Sequence, residues 1–363
     1  MSKNLFSLVL ILLFASCGSI EQFNIDYMVP ACISFPSQLK RVAIVNNVSD
    51  TLNNWSIPQK NTPGANGLLQ KTAYYDGLAT LVAESFAEHI AAANYFEEVL
   101  ICDSALRASD IIPRESTLSK KEVEELTESL GVDAIFSMEN LLIKSVNTTT
   151  YISDERIFHG TLDVLICPTV SIYIPNRNKP VRTINASDSI FWEKYDNTQT
   201  SVAQVIPHQR LIKEITDFAG SIPVKYLTPY RETANRFIYT NGSSDLRDAA
   251  ICVRNDQWDR AYELWKRVNQ SKKDKLQMYA ALNIAVYHEI AGNIDEALKW
   301  VTIARDIAQK IVARKIDKTT QKSNTLFVNG TPSHYYYISL YMSVLEARAK
   351  NLTKLNMQMD RVK

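Results

Sequence analysis

Apolar and polar positions alternate along this chain with two different periods, and the period changes near residue 245. Before that point the pattern is mixed. Leu39–Asn46 (Leu-Lys-Arg-Val-Ala-Ile-Val-Asn) is a short apolar run bounded by polar residues, the mark of a buried strand. Gly67–Ala93 reads as a long helix whose later part lines up Leu78, Leu81, Val82, Phe86 and Ile90 on one face. Glu97–Cys102 predicts a second strand, Ser119–Leu130 an amphipathic helix, and Gly131–Ser137 the start of a third strand. Ser119 with Glu122 three residues on forms a capping-box pattern at that helix start. Across Gly160–Pro175, Leu162, Val164, Ile166, Val170, Ile172 and Ile174 alternate with mostly polar neighbours, as in a half-buried antiparallel strand. Asn176–Lys179 is the turn, Val181–Trp192 the return strand, and Leu211–Ser221 a closing helix. Strands and helices in this order predict a layered α/β domain with a mixed sheet and flanking helices, over residues 39–226.

After a connector at 227–244, where Pro229 breaks the chain and Arg236–Thr240 reads as a short strand, the period becomes helical throughout 245–363. Leu246–Arg254 and Trp258–Val268 form one predicted helical hairpin, Tyr279–Gly292 and Asp295–Ala304 another. Gly292 suits a left-handed helix closure. Ala261 and Ala297 stand in equivalent places, 36 residues apart. The second hairpin resembles a tetratricopeptide repeat, a helix–turn–helix unit of about 34 residues, at Asn283, Ile284, Ala285, Gly292, Ala297, Val301 and Ala304. The proline usual after its second helix is missing. Two such repeats bury too little surface alone, so Ser333–Lys350, rich in tyrosine and leucine, is expected to cap them. The resemblance implies a partner-binding face on the first helix of each repeat: Leu282, Asn283, Val286 and Glu289, with Arg247 and Arg254 from the earlier copy. Asn283 would hydrogen-bond a bound backbone. Leu246 and Ala250 stand where a carboxylate clamp has lysine and asparagine, so that mode of capture is not supported.

The N-terminus supplies an address. Met1–Asn4 carries one positive charge, Leu5–Phe14 is almost wholly apolar, and Ala15-Ser16-Cys17 follows. The run is too short to span a bilayer and has the form of an export signal. It resembles a bacterial lipoprotein signal, with residues 1–16 removed and Cys17 acylated; Phe14 departs from the usual leucine. Gly18 after the cysteine implies the outer membrane by analogy with enteric bacteria. Residues 17–38 read as a lipidated tether.

Composition narrows the rest. A length of 363 residues with 46% hydrophobic content suggests two domains with real cores. A formal charge of +1 points to no nucleic-acid surface. Cys32, Cys102, Cys167 and Cys252 are far apart and show no metal-ligand spacing; export would permit disulfides, but Cys102 and Cys167 in apolar runs and Cys252 on a helix face read as buried free thiols. The five histidines are scattered, and no phosphate loop or nucleophile elbow occurs. No cofactor or metal is implied. Asp154, Glu155, Asp188 and Glu193 are the carboxylates nearest a predicted hairpin.

The β-α-β-α-β-β-β-α order, with Ser-Leu-Gly-Val-Asp-Ala-Ile-Phe at residues 129–136, resembles envelope domains of curli-secretion lipoproteins and of the Tol-system propeller protein, which bind proteins or assemble into rings. The whole layout is similar to a family of Bacteroidota lipoproteins with C-terminal tetratricopeptide repeats and no established activity. Its carriers are the signal, Val29-Pro-Ala, Phe35-Pro, Lys40–Val45 and Trp258-x-x-Ala261…Trp265. The whole-layout resemblance supports architecture and address only; the leading expectation for function is a non-enzymatic, lipid-anchored envelope protein that binds or scaffolds another protein through its helical repeats. An oligomerising subunit of an outer-membrane secretion or assembly complex is the alternative, and an envelope carbohydrate-active enzyme is a third. The sequence leaves partner and oligomeric state open.

Overall fold

The computed structural model describes residues 20–48, 62–63, 69–75, 78–102, 105–107, 117–316, 327–328 and 331–361. The expected signal segment and Cys17 lie outside the described residues. The chain divides into two compact units. A helical unit joins Ile20–Val29 to Arg231–Leu355, and a sheet unit holds Pro30–Tyr230 with the tail from Asn356.

β1 (Ile20–Val29) belongs to the helical unit. The sheet unit begins at β2 (Arg41–Asn46), β3 (Thr62–Pro63), β4 (Leu69–Tyr74), α1 (Ala79–Ala92), β5 (Glu98–Cys102) and α2 (Lys120–Leu130). It continues through β6 (Ala134–Ile152), β7 (Ile157–Tyr173), β8 (Arg182–Asn185), β9 (Asp188–Asp196), α3 (Gln199–Ala203), α4 (His208–Ser221) and α5 (Val224–Leu227). The predicted mixed sheet with flanking helices is present. Strand β6 organises it. β2 pairs in parallel with the start of β6 and with β5, β4 pairs antiparallel with the later part of the same edge, and β7 takes the other edge along nearly its whole length. Val42, Ile44, Phe136, Val164 and Ile166 pack with Val82, Phe86, Ile90 and Ile215 of α1 and α4 on one face. Ala43, Val45, Ile135 and Tyr173 pack with Val123 of α2 on the other. Helix α2 does not reach the far end of that second face, where Leu142, Leu165 and Phe191 remain exposed.

The Ser119 cap forms as predicted. Ser119 Oγ accepts the Glu122 N–H at 3.3 Å and Glu122 Oε2 accepts the Ser119 N–H at 2.7 Å. Gly131, in the left-handed region at φ +64°, closes the same helix. Ser119→Ala is expected to cost about 1 kcal/mol, read by urea unfolding at neutral pH.

The helical unit contains β10 (Tyr230–Tyr239) from Arg231 on, α6 (Ser244–Arg254), α7 (Trp258–Asn269), α8 (Asp274–Ile290), α9 (Ile294–Ile316) and α10 (His334–Asp360) as far as Leu355. Successive helices α6 to α9 pack on one another. Ala261, Trp265, Ala285, Ala297, Val301 and Ala304 are fully buried between them. Asp256 at φ +56° closes α6 and Gly292 at φ +78° closes α8, again 36 residues apart. Both helices therefore end in the same left-handed turn.

Four expectations are corrected. Residues 20–29, read as tether, form β1, which pairs with β10. The order of side-chain pairs, Asn24 with Asn235 and Asp26 with Thr233, makes the two strands antiparallel. The connector at 227–244 is mostly that strand, and its ladder places it with the helices. The helix read from Gly67 starts only at Ala79, because Leu69–Tyr74 is β4, in which Gln70 and Lys71 are exposed and Thr72 is half-buried. Among the described residues no disulfide forms, and Cys252 alone is buried. Cys102 and Cys167 are half-buried, short of the burial expected of them, and Cys32 is exposed. No described helix is long and apolar enough to cross a membrane.

Candidate functional site

Helix α8 carries Leu282, Asn283, Val286 and Glu289 at helical spacing, and all four are buried. The reason is β10, which runs along that face. Asn283 Oδ1 accepts the Tyr239 N–H at 2.8 Å, and Asn283 Nδ2 donates to the Tyr239 carbonyl at 2.8 Å. The amide reads as a backbone holder, but the backbone it holds belongs to its own chain. The Tyr239 ring stacks on Tyr279 at 3.8 Å between centroids, and its hydroxyl meets His334 Nδ1 at 2.7 Å.

Glu289, two turns beyond Leu282, is the centre of a buried ion cluster. Its two oxygens accept Arg236 Nε and Nη2 in a bidentate pair at 2.8 Å each. It also accepts the Tyr341 hydroxyl at 2.7 Å and Arg348 Nη1. Arg348 in turn lies over the Tyr27 ring, 4.2 Å from its centroid. Burial alone pushes the Glu289 carboxyl up, but the hydrogen bonds and charge of Arg236, with Tyr341 and Arg348, outweigh it and hold the group below its ordinary value. Burial and the adjacent carboxylate push the Tyr341 hydroxyl well above its usual range, so it stays a neutral donor.

Beside these two contacts lies a groove whose exposed wall is α10. Asn235, Arg236 and Phe237 of β10, Leu282 and Val286 of α8, and Tyr337, Leu340, Tyr341 and Val344 of α10 line this groove of about 220 Å³. Tyr337, Leu340 and Val344 are 44%, 51% and 39% exposed, an apolar stripe on the wall of a mostly apolar groove. Four of the six residues expected to bind a partner are thus brought together, with Leu282 and Val286 on the groove wall and Asn283 and Glu289 engaged internally. Arg247 is exposed on α6, and Arg254 is paired with Glu21 of β1 at 2.7 Å; neither reaches the groove. Sequence reasoning missed Arg236, Phe237 and Arg348. The available signal was two arginines flanking an aromatic-rich helix and a short apolar strand.

Residues 39–239 match the family described as Domain of unknown function (DUF8603). That stretch is more than half of the chain. The chain belongs to the DUF8603 family. Residues 247–347 match a second, Domain of unknown function (DUF6340). No curated protein and no solved structure matches the chain. The DUF8603 match ends at Tyr239 and so includes β10, the strand that fills the face of α8.

The DUF8603 region holds a second polar centre. Glu139 sits at a β-bulge in β6, where the register shifts between Met138 and Asn140, and its side chain is buried. The bulge turns the carboxylate inward. It accepts the Tyr173 hydroxyl at 2.9 Å and Asn47 Nδ2 at 3.0 Å, and Tyr173 Oη accepts the Leu118 N–H at 3.0 Å. Burial pushes the Glu139 carboxyl up, more than Tyr173, Asn47 and Ser137 lower it. This cluster ties the ends of β2, β6 and β7 to the start of α2. The four carboxylates considered for glycoside chemistry form no such centre. Asp188 and Glu193 lie five residues apart on β9 and so point to opposite faces of the sheet. Asp188 pairs with Lys225 at 3.3 Å and Glu193 with His159 at 3.2 Å, while Asp154 and Glu155 sit exposed in the β6–β7 turn. Among the described residues no group of three or more His, Cys, Asp and Glu stands together for a metal.

Proposed function

We propose that this chain is a non-enzymatic, lipid-anchored protein of the cell envelope that recruits another protein through its helical unit. Helices α6–α7 and α8–α9 are read as two tetratricopeptide-like repeats, on the strength of the buried small residues Ala261 and Ala297 and the matched left-handed closures at Asp256 and Gly292. One observation carries the reading. The α8 face that would grip a partner's backbone is filled by β10, while an apolar groove beside it stays open with Tyr337, Leu340 and Val344 exposed. The working surface is therefore the α10 wall of that groove. Leu340→Asp places a charge there without disturbing the core, with an expected stability change within about 0.5 kcal/mol. A pull-down from cross-linked envelopes is expected to lose one protein with Leu340→Asp that the unaltered chain retains. The same protein captured by both would remove the groove from the function.

The oligomerising alternative is favoured by a different surface, the uncovered face of the long β6–β7–β9 arm. Phe191 there is 65% exposed beside Leu165 and Leu142. Particles larger than a monomer in detergent that shrink with Phe191→Asp would support it.

A further inference from the structure

The groove has a shape that limits what can enter it. At one end Asn283 bridges α8 to the backbone of Tyr239, and at the other Glu289 bridges α8 to Arg236. A segment that enters between them has no way through, and about 220 Å³ is room for one large apolar side chain rather than a helix. The strand along its side is an edge. Among the described residues β10 belongs to a two-stranded sheet and pairs only with β1. Tyr239 turns both its N–H and its carbonyl away from β1, toward Asn283. Main-chain groups in a strand repeat their direction every second residue, so Phe237 presents its N–H and carbonyl on the same side, and no strand pairs with them there among the described residues. Charge is also uneven. Two guanidiniums, buried Arg236 and half-buried Arg348, share the single buried carboxylate Glu289, and Arg236 lines the groove. Exposed Glu232 faces the Tyr27 hydroxyl instead. Two cations on one carboxylate leave a positive balance that an anion would complement.

Resting on the partner-binding reading of the helical unit, we infer that the groove receives the C-terminal residue of the partner protein. Its apolar side chain lies on Tyr337, Leu340 and Val344, its last amide pairs with the main chain of Phe237, and its carboxylate faces Arg236. The amide-matching edge favours a peptide over a free fatty acid, which has a carboxylate and a chain but no amide. These groups are separate from the lysine–asparagine clamp, whose places are occupied by Leu246 and Ala250.

The test uses the full chain purified in detergent and a fluorescent tetrapeptide set whose last two residues cover every pairing of Leu, Ile, Val and Phe. Each peptide is made with a free and with an amidated C-terminus, and binding is followed by anisotropy. At least one free-acid peptide is expected to bind about tenfold more tightly than its amide, and Leu340→Asp and Val344→Asp are each expected to abolish that binding. Equal binding of acid and amide, or binding by neither, overturns the inference, as does lauric acid binding where no peptide does. If the envelope partner is lost with Leu340→Asp but no free-acid preference appears, only the chain-end inference falls. If the partner also persists in Leu340→Asp, the partner-binding reading falls with it.

Discussion

Glu289→Gln is expected to destabilise the helical unit by about 3–5 kcal/mol. The carboxylate is 2% exposed and is the common acceptor for Arg236, Arg348 and Tyr341. Glutamine keeps the volume but removes the charge, leaving buried Arg236 and half-buried Arg348 without their shared counter-charge. The cost arises from those uncompensated cations rather than from a lost contact, which is why an isosteric change is severe. The effect depends on pH with a defined sign. The folded-state pKa of Glu289 lies below its ordinary value of 4.5. Its contribution is therefore present above that ordinary value and lost as pH falls through the lower folded one. Urea unfolding followed by tryptophan fluorescence checks this, since Trp258, Trp265 and Trp300 all report on the helical unit. The gap between unaltered chain and variant is expected to be full at pH 7 and to close in acid. A gap that stayed constant with pH would mean that the carboxylate is not the charge balancing the two arginines. Glu139 in the sheet unit has the opposite sign. Its folded pKa is raised by burial, so its contribution is greatest below 4.5 and is lost as pH rises through the folded value. The two units should thus respond to mild acid in opposite directions through these two groups.

Periodic patterns made much of this fold legible. The alternation in Gly160–Pro175 and the helical stripes after residue 245 appear as β7 and as α6 to α9, and the Ser119–Glu122 and Gly292 signals are local enough to read directly. What failed was pairing at long range. Phe23, Ile25 and Tyr27 alternate with Gln22, Asn24 and Asp26 as a strand should, but β1's partner lies more than 200 residues away, and a segment just after an export signal reads as tether. The same distance hid the site. Glu289 read as part of a partner-binding helix face, because nothing local says that Arg236 and Arg348 converge on it from 53 and 59 residues away. Asn283 was legible as a residue that grips a backbone. Whose backbone was not, since that depends on where β10 packs.

That ambiguity gives Asn283→Leu its interest. The side chain is fully buried, and both of its polar atoms are committed to Tyr239. Leucine is close in size, so no large cavity opens. The change instead strands the Tyr239 N–H and carbonyl in an apolar interior, at about 1–3 kcal/mol for each buried group left unpaired. A total loss of about 2–6 kcal/mol is expected in urea unfolding, together with faster hydrogen exchange at the Tyr239 amide. An asparagine reserved for a partner would behave in the reverse way, since removing it would leave the free chain as stable as before and weaken only the complex. The Tyr239 amide reports the difference directly, because its protection in the isolated protein depends on Asn283 only if the chain fills its own clamp. If protection and stability are unchanged in the variant, β10 does not occupy the α8 face in solution, and the open surface is the face of α8 itself rather than the groove beside it.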